Sequence, residues 1–304
     1  MGIRIGIVGK GALGLMYASI AQARPGVDSV QFVMDAARLE RHRDDEYFVN
    51  GAKVDFDDVA AEDAQPVDLL LVGVKSTGLP AAVEMMENTV GPDTCIVPLL
   101  NGITSEGKVA ARYGWGRTVA CVSYGMDAAR FGTRLEYTKE GALQIGALRE
   151  ESAPMVERAH ELLAVAGIPH TVEADIKRRL WTKFMANVGV NQVCAVYQVR
   201  YRELLSDETA EPFRMYIAAM REVLAVAHAE GIELTEADMN EYVAVIRSLD
   251  PESMPSMAQD RVNGNPCEVE EFSGEVIRRA AKFGLYVPCN QYLYNQVQIY
   301  EGRA

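Results

Sequence analysis

The sequence predicts an α/β protein in two parts, a doubly wound parallel sheet followed by an all-helical domain. Three observations predict it. A β-prone run meets a glycine-rich turn and then a helix-forming segment within the first two dozen residues. Continuous apolar runs, as expected of strands buried on both faces, then alternate with helical segments. Past about residue 172 the strand patterns nearly vanish and long helical periods take over. The boundary is therefore expected there, with domains 1–172 and 173–304.

The elements follow in order. Ile3–Val8 is a β-prone run that leads into Gly9-Lys10-Gly11-Ala12-Leu13-Gly14 and then into the helix-forming run Leu15–Ala21. Strand, G-x-G-x-x-G and helix in this order form the dinucleotide signature of a Rossmann-type domain. Its glycines give a tight turn, close approach of the main chain to a pyrophosphate, and close helix–strand packing. The helix N-terminus then offers free N–H groups to phosphate. A glycine-rich turn without a ligand is the competing reading.

Ser29–Met34 reads as the second strand, ending at Asp35, 21 residues after Gly14. A carboxylate there can accept hydrogen bonds from a ribose 2′-hydroxyl, which favours NAD, and would repel a 2′-phosphate. Arg38, Arg41 and Arg43 follow and could hold a phosphate. Asp35 could equally cap a helix over Ala36–Arg43. No family motif is read between residues 47 and 66.

Val67–Val74 and Cys95–Leu100 read as further buried strands, ending in Lys75 and in Asn101-Gly102. Ligands of open α/β sheets sit beyond such strand ends. Taken singly, Lys75 is a surface lysine and Asn101 a turn residue; with the glycine loop they line one edge of one sheet. From Thr118 to Gly146 alternating segments suggest antiparallel strands closing the sheet. Glu151–Ala166 reads as a helix stopped by Gly167, and His170–Val172 as a return to the sheet.

The helices of the second domain are expected at Asp175–Val199, Glu208–Glu230, Thr235–Leu249, Glu268–Phe283 and Asn290–Glu301. Residues 251–260, with two prolines, read as a loop or a short helix start. In the first helix Lys183, Asn187 and Asn191 recur every four residues and share a stripe. Trp181, Phe184, Met185 and Val188 cover the opposite side. Two asparagines, mediocre helix formers, in line with a lysine suggest a polar task. A satisfied buried network is the competing reading.

Composition excludes several classes. Hydrophobic content of 49% and charged content of 24% are those of a globular protein. A net charge of −13 argues against a general nucleic-acid binder and against docking on anionic lipid. Five scattered cysteines without C-x-x-C read as reduced thiols, and four histidines without ligand spacing predict no metal site. No stretch reads as a signal peptide or a membrane span, so the expected location is the cytoplasm.

Together these residues resemble the ketopantoate reductase (2-dehydropantoate 2-reductase) family over essentially the whole length. The landmarks are G-K-G-A-L-G at 9–14, Val74-Lys75, Asn101-Gly102, L-W-x-K-x-x-x-N-x-x-x-N at 180–191, S-M-x-Q-D at 256–260 and E-V-E-x-x-x-G at 268–274. Many folds share the first; the helical Lys/Asn motif with the last two is specific in combination. The resemblance implies a Rossmann domain followed by a helical domain of the 6-phosphogluconate-dehydrogenase type. It implies Lys183 as catalytic general acid and Glu268 as the acidic residue at the substrate hydroxyl. Asn187, Asn191 and Ser256 are implied as substrate contacts. Lys75 and Asn101 join the loop residues Gly9 to Gly14 on the cofactor side.

Chemistry agrees with those roles. Hydride arriving at a ketone leaves a developing alkoxide that needs a proton and a positive field, and an ammonium supplies both. A lysine's ordinary pKa of about 10.4 would have to fall for efficient donation near neutrality. The cofactor implied is NADP(H), since relatives usually place a basic residue where Asp35 stands; Asp35 keeps NAD(H) open. The expected partner is a small 2-oxo acid. The apolar helices of the second domain could form a homodimer interface or simply that domain's core. The rival readings are a same-fold dehydrogenase for another 2-oxo or 2-hydroxy acid and a dinucleotide-binding sensor without turnover.

Overall fold

The computed structural model describes residues 2–303. The chain forms two compact units, Met1–Ile176 and Lys177–Ala304.

The first unit is built on five strands: β1 (Ile3–Val8), β2 (Val27–Met34), β5 (Asp57–Ala60), β6 (Leu69–Val72) and β7 (Cys95–Pro98). They lie in the order β5-β2-β1-β6-β7, all parallel. The alternation of side chains along each strand divides the core in two. Ile5, Ile7, Phe32, Leu69, Leu71 and Val97 belong to one apolar cluster, together with Leu15 and Met16 of α1 (Ala12–Gln22). Val8, Val33, Leu70, Val72 and Ile96 belong to the other. Leu79 and Val83 of α3 (Leu79–Met85) and Val109 of α4 (Ser105–Tyr113) join that second cluster. Between β2 and β5, α2 is a short exposed helix, Ala36–Arg41.

A second, four-stranded sheet was not foreseen. β3 (Tyr47–Val49) and β4 (Ala52–Val54) form a hairpin, turning at Asn50 and Gly51 with φ of 48° and 79°. Asn-Gly in left-handed backbone is the favoured two-residue hairpin turn. β10 (Arg134–Glu136) adds to β3 in parallel, and β9 (Ala129–Phe131) pairs with β10. The stretch expected to close the main sheet is thus divided. β8 (Ala120–Met126) and β11 (Glu140–Gly146) are antiparallel, as the alternation suggested, and with β12 (His170–Val172) they form a separate three-stranded sheet. One parallel bridge, Ile96 to Thr118, links this region to β7. Helix α5 (Ala153–Val165) packs Val156, Leu162 and Leu163 into the first cluster.

The second unit is helical from α6 (Ile176–Tyr197) to α12 (Pro288–Tyr300). Between them lie α7 (Tyr201–Ser206), α8 (Glu211–Ala229), α9 (Glu236–Ser248), α10 (Ser256–Val262) and α11 (Ser273–Lys282). At 1.5 Å per residue α6 is roughly 33 Å long. Gly189 lets α8 close on α6, since a Cβ there would meet Met220 Cγ at 2.7 Å and Tyr216 Cδ2 at 2.8 Å. Among the described residues no helix is long and apolar enough to cross a membrane.

One expected helix starts later than the pattern suggested. Glu268 does not lie in α11; it precedes a single 3-10 turn, Val269–Glu271, and the helix begins at Ser273. Phe272, at φ −106° and ψ −98°, breaks the helical path, and the Ser273 N–H donates to Gln192 Oε1 of α6 at 3.0 Å.

Candidate active site

In the first unit the glycine loop joins β1 to α1. Gly9 has φ +109°, a conformation L side chains rarely adopt, and a Cβ there would lie 2.7 Å from the Gly73 carbonyl carbon. A Cβ on Gly14 would collide with the Gly9 carbonyl oxygen. These two glycines are required by packing of the protein against itself. Gly11 is different. Its backbone is extended, at φ −78° and ψ −175°, and a Cβ there would meet only the Gly73 oxygen, at 3.4 Å. Its smallness leaves room for a ligand to approach the main chain.

The loop opens on a cavity of about 780 Å³. Gly9, Lys10 and Gly11 line it, with Asp35, Arg38, Arg41 and His42 beyond β2 and Val74, Lys75 and Thr77 beyond β6. Ala12, Leu13 and Gly14 belong to α1 and are not in the lining, and Asn101, three residues beyond β7, is not in it either. Asp35 caps α2: its Oδ1 accepts the Arg38 N–H at 2.7 Å. That bond uses one of a carboxylate's roughly four lone-pair sites, so cap and ribose acceptor are compatible roles. Lys75 is the residue before a 3-10 turn, Ser76–Gly78. Tyr47 and Arg130 complete the cavity wall from β3 and β9. Burial pushes the Tyr47 phenol up to about 12, so it stays protonated and can donate. His42 binds the Asp45 carboxylate at 2.7 Å and holds it below the usual carboxylate range.

In the second unit the stripe on α6 takes shape. From Trp181 to Ala195 every residue is buried except Lys183 and Asn187. Asn191, the next along the stripe, is 4% exposed and turns inward. Its Nδ2 donates to Asn187 Oδ1 at 3.2 Å. Its Oδ1 accepts from Ser256 Oγ at 3.1 Å and from the Met257 N–H at 3.2 Å. Asn191 thereby caps α10, whose own preceding residue, Pro255, gives no side-chain cap. The structure brings Asn187, Asn191 and Ser256 into one hydrogen-bonded chain. Lys183 stands one turn before Asn187 and is partly buried, as is Glu268. The satisfied-network reading of this stripe is realised at Asn191, while Lys183 and Asn187 stay partly exposed.

Residues 5–150 match the model of ketopantoate reductase PanE/ApbA, and residues 175–301 match the model of its C-terminal domain. The chain belongs to the ketopantoate reductase family. It is an oxidoreductase of that family. A 2-dehydropantoate 2-reductase from Mycobacterium tuberculosis is 27% identical over 300 residues, 96% of each chain. Among solved structures, D-mandelate dehydrogenase with NADH and anilino(oxo)acetate aligns with a TM-score of 0.86 at 22% identity. It covers 99% of this chain and 98% of the other. A dimeric ketopantoate reductase from Staphylococcus aureus aligns with a TM-score of 0.82 at 21% identity, over 99% of both chains. These two structures show that the fold is the ketopantoate reductase fold.

For this member of the ketopantoate reductase family, sequence reasoning missed Tyr47, Asp58 and Arg130. All three lie in or behind the wall of the cavity. Tyr47 precedes a legible signal, Asn50-Gly51 between β-prone runs, which marks the hairpin but not what the hairpin faces. Asp58 and Arg130 carry no local signal at all.

Proposed function

We propose that the chain reduces 2-dehydropantoate to pantoate with a nicotinamide dinucleotide, a step toward pantothenate and coenzyme A. The first unit holds the dinucleotide, and the second carries the proton donor and the substrate contacts. The observation that carries this reading is the α6 stripe. Between Trp181 and Ala195 the only positions that are not fully buried hold a lysine and an asparagine, and the asparagine continues through Asn191 to Ser256. A cofactor-binding sensor would need no general acid there.

The residues of the cavity fit a dinucleotide. Gly9 and Gly11 leave the main chain bare, the α1 N-terminus offers N–H groups to phosphate, and Asp35 stands where a ribose would be met. When bound, the nicotinamide supplies the hydride. Lys183 donates its Nζ proton to the substrate oxygen as negative charge develops there, and its own charge stabilises that oxygen beforehand. Glu268 accepts a hydrogen bond from the product hydroxyl. Asn187 and the Ser256 hydroxyl orient the carboxylate, and Asn191 holds Ser256 for that task.

Asp35 and its neighbours set the cofactor preference in this reading. The carboxylate repels a 2′-phosphate, while Arg38 and Arg41 on the same cavity attract one. The family resemblance favours NADPH, and Asp35 favours NADH. A second substrate reading has one observation behind it, the likeness to D-mandelate dehydrogenase: a same-fold dehydrogenase acting on another 2-oxo or 2-hydroxy acid. The dimeric Staphylococcus aureus structure supports a homodimer, which sedimentation equilibrium tests.

The deciding assay follows oxidation of NADPH and NADH in parallel with 2-dehydropantoate. Turnover with either supports the reaction, and the better cofactor shows which charge near Asp35 dominates. Cofactor binding without turnover discards this substrate and leads to a screen of other branched and aromatic 2-oxo acids.

A further inference from the structure

The glycine loop carries one charged side chain, and it is engaged within the protein. Lys10 Nζ lies 2.7 Å from Asp58 Oδ2, with only 10% of the lysine side chain and 18% of the aspartate side chain exposed. Three rings surround the ammonium: Tyr47 at 4.1 Å, Phe32 at 5.0 Å and Phe56 at 5.9 Å from their centroids. Phe56 packs edge-on against both Phe32 and Tyr47, so the cage is itself braced. The other oxygen of Asp58, Oδ1, is buried without a hydrogen-bond partner. A half-buried carboxylate with one oxygen unserved depends on its one cation.

The main chain of the same residue is held as well. Arg130 of β9 donates from Nη1 to the Lys10 carbonyl. A trans peptide is planar, so fixing that carbonyl fixes the direction of the next N–H, that of Gly11. Gly9 is fixed from the other side by its contact with the backbone of Gly73 and Val74. The stretch of main chain with the fewest side chains to anchor it is thus tied down at Lys10 by both of that residue's polar ends.

We infer that Lys10 is a positioning residue: its ion pair with Asp58, inside the ring of Phe32, Tyr47 and Phe56, clamps the glycine loop so that the loop's N–H groups are preset for a pyrophosphate. The inference rests on the reading of the cavity as a dinucleotide site. It assigns Lys10 a different task from a lysine that reaches the phosphates itself. Preorganisation of this kind lowers the ordering cost of binding.

The test uses the full chain, NADPH and NADH fluorescence titrations, and kinetics with 2-dehydropantoate. Lys10→Met leaves Asp58 half-buried and unpaired, and cofactor Kd and KM are expected to rise about tenfold or more, with the loss falling on cofactor KM rather than on kcat. Lys10→Met/Asp58→Leu removes both charges and is expected to recover most of that loss. Asp58→Asn loosens the clamp and is expected to weaken binding several-fold. Direct phosphate contact by Lys10 predicts the reverse pattern. The double variant would then bind as weakly as Lys10→Met, and Asp58→Asn, which frees the ammonium, would bind more tightly than wild type. Either result overturns the clamp. If Lys10→Met does not fold, the direction of the Asp58→Asn effect decides. A wild-type chain that binds neither dinucleotide overturns the cavity reading and the clamp with it. A wild-type chain that binds as well as all three variants overturns the clamp alone.

Discussion

In the cofactor site proposed at the glycine loop the atoms offered are main-chain N–H groups, and Gly9, Gly11 and Gly14 act by what they lack. In the site proposed on α6 the atoms offered are at the ends of side chains, carried by a helix whose other positions from Trp181 to Ala195 are sealed in a core. The first arrangement ties function to fold, because a Cβ at Gly9 or Gly14 meets main chain that cannot step aside. The second separates them. Lys183 and Asn187 are the positions between Trp181 and Ala195 that are only partly buried, so their side chains can change without opening a cavity in the core. Asn191 lies between these cases, since it belongs to the polar stripe and also caps α10.

Substitutions can break or sharpen this contrast. The largest effect is expected at Lys183. Lys183→Ala should lower kcat by about 10²- to 10⁴-fold, the usual range for a lost general acid, while cofactor titration and thermal melting stay close to wild type. Unchanged turnover would remove Lys183 from the chemistry. A melting temperature that collapsed would instead put α6 in the same class as the loop.

Gly14→Ala should behave in the opposite way. The added methyl collides with the Gly9 carbonyl oxygen, and overpacking of this kind costs about 1–3 kcal/mol. Denaturant unfolding should show that loss, and cofactor affinity should fall with it. A variant that melts like wild type would show that the loop yields, against the reading given above.

The first unit also buries a carboxyl group, that of Glu106, in the first turn of α4. It is 1% exposed, accepts from Ser105 Oγ at 3.0 Å, and has its Oε1 buried without a partner. Burial pushes its carboxyl up to about 7. The unfolded chain ionises first, at about 4.5, so this group's contribution to stability is complete below that pH and is lost as pH rises to about 7. The change is of order 3 kcal/mol at most. Glu106→Gln should flatten the dependence between about pH 4.5 and 7, measured by urea unfolding; an unaltered slope would show that the carboxyl is not the source.

The smallest effect is expected at Asp35. Asp35→Ala should lower the KM for NADPH by about 3- to 10-fold through loss of repulsion, and weaken α2 by about 1 kcal/mol through loss of its cap. An NADPH KM that does not fall would leave Asp35 as a cap only.

Much of this protein is legible without a fold. The strand, glycine turn and helix at 3–22 can be read from spacing, and so can α6 with its stripe, because hydrogen bonds and faces within one element depend on residues a few positions apart. The late start of α11 was not legible: acidic residues at 268–271 suit a first turn, but the backbone of Phe272 and the distant Gln192 place the helix after them. The tertiary structure alone decided who meets Lys10. Asp58 is 48 residues away and Arg130 is 120 residues away. Asp58 arrives because β5 pairs with β2 in the register that sets Phe32 opposite it, and Arg130 because the β9–β10 hairpin adds to β3. Strand register between distant segments is set by the packing of the whole sheet, and no local period encodes it.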